Sequence, residues 1–133
     1  MIKRNIIFLT LALTSLLPNE ALSEVITLEC SYPREATPSG VKKQDFAFSI
    51  VYDATQDKAY MLADNGRAEL AVIEGVESLT FLEVTPWGNV NTTAVIWLQS
   101  SNLSRLTQSV HNRTPAISGE FVPSQNYGDC KWN

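Results

Sequence analysis

The chain is poor in the residues that most site chemistry requires. It has one histidine, His111, and two cysteines, Cys30 and Cys130, in 133 residues. Zinc sites are built from clusters of Cys and His, and no such cluster exists here. Asp53, Asp57, Asp64 and Asp129 could supply oxygen ligands, but none follows the spacing of a calcium-binding loop. The six glycines stand singly, so no glycine-rich segment cradles a phosphate. No serine sits in a nucleophile elbow, and no carboxylate pair is recognisable for general acid–base work. These absences predict a protein that is not an enzyme and uses no metal or cofactor.

The chain also lacks a surplus of positive charge. Ten Lys and Arg face 14 Asp and Glu. Nucleic acids and anionic membrane surfaces are bound through Lys and Arg, so both are excluded as expected partners. A basic protein is compatible with this balance.

Long apolar runs are missing as well. The longest, Ile6 to Leu17, is interrupted only by threonine and serine. It is shorter than the roughly 20 apolar residues that cross a bilayer. Lys3 and Arg4 precede it, and Ala21-Leu22-Ser23 follows it with small residues suited to cleavage. That order reads as a secretory signal over residues 1–23. The expectation is a single domain over residues 24–133, periplasmic or secreted, with no membrane anchor after cleavage. This part carries eight Lys and Arg against thirteen Asp and Glu, a formal charge of −5.

In an oxidising compartment an isolated cysteine pair reads as a disulfide. Cys30 and Cys130 would close a loop of about 100 residues, worth roughly 4–5 kcal/mol on the chain-entropy model. Cys30 follows Leu28-Glu29 rather than the small residues that precede a lipid-modified cysteine.

Alternation with a period of two dominates residues 24–133. Val25 to Cys30 opens as a strand. Phe46, Phe48, Ile50 and Tyr52 share one face of the next, and Tyr60 to Ala63 continues the pattern. Asp64-Asn65-Gly66 predicts a tight hairpin with Asn-Gly at its centre, returning through Leu70 to Ile73. Leu79 to Val84 and Val90 to Leu98 form a second hairpin around Thr85-Pro86-Trp87-Gly88-Asn89. Gln99 to Asn102 is the next connection. Arg105 to His111 and Ala116 to Val122 read as a third pair around Asn112 to Pro115. Ser31 to Gln44 contains Pro33, Pro38 and Gly40 and reads as a loop with at most a helical turn. The fold class is all-β: an antiparallel meander of about six to eight strands, closed as a small barrel or folded as a sandwich, with one disulfide. Closure would remove exposed strand edges.

Trp87 at a hairpin tip is the leading contact candidate, together with Gly88 of the same turn and Arg67. An indole there either stands exposed, as aromatics at protein interfaces do, or folds back over the barrel mouth. Trp97, beside Val95 and Ile96, reads as core or lid, and Trp132 has no assigned role. His111 alternates with Thr107 and Ser109 along a strand, where an imidazole packs or bonds across to a neighbour. Asn91, Asn102 and Asn112 each begin a glycosylation acceptor pattern, which reads as chance in Thr- and Asn-rich turns of a bacterial-type export substrate.

Three segments carry a resemblance. Leu79 to Thr85 with Gly88-Asn89-Val90 and Thr92-Thr93 is the first. Val110-His111-Asn112-Arg113 is the second, and Gly119 to Cys130, ending in Ser-Gln-x-Tyr-Gly-x-Cys, is the third. Together they resemble small exported proteins of Gram-negative bacteria over roughly residues 45–131. The resemblance implies export and paired cysteines, and no activity. The architecture is also similar to that of periplasmic lysozyme inhibitors, small eight-stranded barrels whose ends are joined by a disulfide. Their inhibitory Ser-Gly segment has only Asp64-Asn65-Gly66-Arg67 as a distant counterpart here.

The resulting expectation is an exported, non-enzymatic binding protein whose partner is a protein of the envelope or extracellular space, with inhibition of an envelope enzyme as one form of it. The alternative is a carrier of a sugar or an apolar molecule, with Trp97, Phe81 and Tyr60 lining the barrel mouth.

Overall fold

The computed structural model describes residues 24–97 and 106–133, so the signal segment, the Gln99 to Asn102 connection and the Asn102 acceptor lie outside the described residues. Eight antiparallel strands form a closed barrel, which decides between barrel and sandwich. In chain order they are β1 (Val25–Thr37), β2 (Gly40–Asp53), β3 (Lys58–Ala63), β4 (Gly66–Glu74), β5 (Ser78–Val84), β6 (Val90–Ile96), β7 (Leu106–Arg113) and β10 (Ser124–Trp132). Two short strands, β8 (Ala116–Ile117) and β9 (Glu120–Phe121), make a separate hairpin between β7 and β10. Each barrel strand pairs with its neighbour in sequence, and β10 returns to β1.

The predicted alternation becomes the inside and outside of the barrel. Phe48, Ile50 and Tyr52 are buried with Phe46 half-buried, while Lys43, Asp45 and Ala47 are exposed. Ile26, Leu28, Leu70, Leu79, Phe81 and Val95 fill the axis with them. Trp132 is buried at the lower end, its ring 3.8 Å from that of half-buried Trp97. Thr27 and Asn133 exchange backbone hydrogen bonds of 2.9 and 3.2 Å, which fasten the final residue to β1.

Three expectations are corrected. Ser31 to Gln44 is not a loop: β1 continues to Thr37 and β2 begins at Gly40, with Pro38-Ser39 at the turn. Pro33 is accommodated because it sits at a β-bulge, where the register shifts between Tyr32 and Arg34 and no ladder donor is needed. Ala116 to Val122 is not the partner of β7. That segment doubles back on itself as β8 and β9, and β7 pairs instead with β10. The β3–β4 turn has Asp64-Asn65 at its centre, because Ala63 opposes Gly66. Positive φ falls on Gly66 alone (135°), at the first residue of the returning strand.

Cys30 and Cys130 are directly opposed on β1 and β10 and form the disulfide. The bridge therefore crosses the seam where the last strand closes on the first.

Candidate functional site

Alternation of strand direction puts the turns Pro38-Ser39, Asp64-Asn65 and Thr85–Asn89, together with the β8–β9 hairpin, at one rim of the barrel. Thr85 organises the turn that carries Trp87. Its carbonyl accepts from Gly88 N at 2.9 Å, its Oγ1 accepts from Asn89 N at 3.2 Å, and its own N–H donates to the Asn89 carbonyl at 2.8 Å. Pro86 presets φ at the second position of this turn. The indole next to it is 87% exposed. Trp87 is therefore no lid over the barrel mouth.

The ladder between β4 and β5 ends at Ala71↔Leu82. Above that pair a cavity of about 460 Å³ separates Gly66 to Glu69 from Glu83, Val84 and Pro86. Met61, Ala63 and Ala68 contribute apolar lining. Arg67 lines the cleft too, its guanidinium carbon 3.6 Å from the centroid of the Tyr60 ring. Arg67 and the turn bearing Trp87 and Gly88 thus meet at one cleft. Glu69 is exposed on one wall; half-buried Glu83 on the other accepts from Asn91 Nδ2 at 2.8 Å. Among the described residues neither carboxylate has a cationic partner within 4.0 Å.

Below the rim the interior is polar. Buried Thr93 and His111, opposite each other on β6 and β7, share a 2.8 Å hydrogen bond between Oγ1 and Nδ1. Asn126 Nδ2 donates to the His111 carbonyl at 3.0 Å, and Gln44 Nε2 donates to Asn126 Oδ1 at 2.6 Å. Ser109 Oγ donates its proton to the Ala94 carbonyl at 2.9 Å, so the Tyr32 hydroxyl is the donor in its 2.8 Å bond to Ser109. Burial lifts the Tyr32 phenol to about 12. The imidazole lies among Tyr32, Phe46 and Phe48, with ring centroids 5.1–5.8 Å away. Burial, with the Arg113 charge adding to it, pushes its pKa down to about 4. His111 is thus a neutral, 2% exposed member of a bonded network.

Other candidates are separated by the fold. Tyr60 is stacked under Arg67, Phe81 is 1% exposed in the core and Trp97 stacks on Trp132, so these three do not line one mouth. Asp53 Oδ1 accepts from Thr55 N and Gln56 N and shapes the β2–β3 turn. No three His, Cys, Asp or Glu side chains gather as metal ligands among the described residues.

Sequence reasoning missed the polar network and the cleft. The first had a faint signal, since Thr93 on β6 and Ser109 and His111 on β7 occupy inward positions where apolar residues are expected. The second arises from where a ladder stops, and strand alternation carries no trace of that. No family model, no curated protein and no solved structure matches this chain.

Proposed function

We propose that this protein is an exported, non-enzymatic binding protein that engages a protein of the envelope or extracellular space through the Trp87 turn and the adjoining β4–β5 cleft. One observation carries the reading: an indole 87% exposed on a turn whose backbone is held by three hydrogen bonds. A large aromatic surface presented on an ordered backbone is the profile of an interface anchor. Glu69 and Glu83 in the adjoining cleft, and the acidic balance of the chain, favour a basic partner surface. The filled axis of the barrel favours a binder acting at its rim over a carrier. The buried Cys30–Cys130 disulfide is compatible with an oxidising, exported compartment. Inhibition of an envelope enzyme is the form of binding that the likeness to lysozyme inhibitors suggests.

The test is capture from a periplasmic extract by the oxidised protein and by its Trp87→Ala variant. A specific protein should be retained by the first and lost by the second, while unfolding stability changes by less than about 0.5 kcal/mol, as expected for an exposed side chain. Equal retention by both would move the contact away from this turn. Co-purification of a small molecule in place of a protein would favour the carrier.

A further inference from the structure

Closure of the barrel leaves one long strand edge without a neighbour among the described residues. β2 pairs with β1 from Gly40 to Asp53, with a register shift at Gln44 and Asp45, but with β3 only from Ser49↔Leu62 to Asp53↔Lys58. Gly40 to Phe48 therefore presents backbone donors and acceptors on the side away from β1, because β3 has already turned at Asp64-Asn65. This edge is backed by sheet, since β1 itself pairs with β10 as far as Ala36↔Gln125, with a register shift between Ser31 and Arg34. A concavity of about 710 Å³, lined by Ala47, Ser49, Leu62 and Asp64 among others, adjoins its lower end.

The inward side chains of the free segment are committed to the fold. Gln44 bonds to Asn126 and Phe46 packs on Tyr32 and His111, while Lys42, exposed at the rim, pairs with Glu35 at 2.9 Å. Outward, Val41, Lys43, Asp45 and Ala47 are all exposed. An exposed edge invites pairing, and a lysine on it ordinarily discourages that.

Here the charge pattern is self-complementary. Residues opposed across an antiparallel pair of identical strands point to the same face, so the two-fold axis must pass through a residue position. With the axis at Gln44, Lys43 of each copy faces Asp45 of the other, and Val41 faces Ala47. Moving it to Lys43 opposes two lysines, and moving it to Asp45 opposes two aspartates. Opposite charges directly across a ladder stabilise it and like charges oppose it. The incoming strand would lie end to end with β3, along the same side of β2.

We propose that two copies of this chain join edge to edge through Val41 to Ala47 of β2, antiparallel about a two-fold axis at Gln44, in a symmetric dimer. The seam uses different strands from those that carry Trp87, so it stands independently of the binding function proposed above.

Sedimentation velocity on the oxidised full domain tests this directly. The wild-type protein should sediment as a dimer. Lys43→Glu and Asp45→Lys should each halve the mass, with circular dichroism unchanged because both side chains are exposed. An equimolar mixture of the two variants should recover the dimer, since each then offers the charge the other lacks. A wild-type monomer at the highest soluble concentration, a dimer that survives either single variant, or a mixture that stays monomeric would each overturn the proposal.

Discussion

His111 carries one consequence that belongs to a single residue. In the folded chain its imidazole stays neutral down to about pH 4, because burial and the Arg113 charge disfavour the imidazolium. In the unfolded chain the ring takes up a proton near its ordinary 6.5. Its contribution to stability is therefore complete above about pH 6.5 and is lost as the pH falls from there towards about 4. Integrated over that window the loss is about 3 kcal/mol. Urea unfolding at about pH 7.5 and about pH 4.5 should show the effect, with His111→Gln losing less stability between the two than the wild-type chain. Parallel losses in both proteins would mean that the ring is not held neutral by the fold.

At the scale of elements, the decisive feature is the bulge in β1 and what it does to β10. The extra residue around Pro33 pushes the β1 backbone towards Gly128, where a Cβ would come within 1.9 Å of the Ser31 carbonyl oxygen. Gly128 lies in mid-strand, so its role is this close approach. Gly128→Ala should cost roughly 3 kcal/mol or more, because backbone and not a movable side chain blocks the methyl group. An unchanged urea midpoint in that variant would contradict the close approach. The same strand explains the Ser-Gln-x-Tyr-Gly-x-Cys ending of the sequence. From Ser124 on, its inward positions hold buried Asn126, then Gly128 under the bulge, then bridged Cys130.

For the molecule as a whole, the β1–β10 seam turns an open meander into a closed barrel. Among the barrel's ladders this seam alone joins opposite ends of the chain, so its loss would free both ends together. The disulfide spans a separation of 100 residues there, with its cysteines 2% and 0% exposed. A Cys30→Ser, Cys130→Ser double variant should lose about 2–5 kcal/mol of stability, read as a lowered urea midpoint. If the midpoint held, ladder pairing and the Thr27–Asn133 bonds would be sufficient to keep the seam shut.

Much of this fold is legible in the order of residues alone. Strand alternation in Phe46 to Tyr52 and Leu79 to Val84 marks the inward faces, since a period of two allows only two faces and apolar residues choose between them. The two cysteines mark the closing pair, and Thr85 to Asn89 marks a turn with Trp87 at its tip. Turn chemistry is less dependable. Pro33 and Pro38 read as loop because proline cannot serve a central ladder, whereas a bulge and a two-residue turn absorb them. The partner of β7 is hidden from the sequence because pairing depends on which chain segments meet, and the β8–β9 hairpin intervenes. The exposure of Trp87, the gap above Ala71↔Leu82, the neutral His111 and the free edge of β2 belong to tertiary structure alone. The gap and the free edge depend on where a ladder begins or ends, the neutral His111 on burial inside the closed barrel, and Trp87 on how its turn stands at the rim. All are set by how strands assemble and not by the order of residues within any one of them.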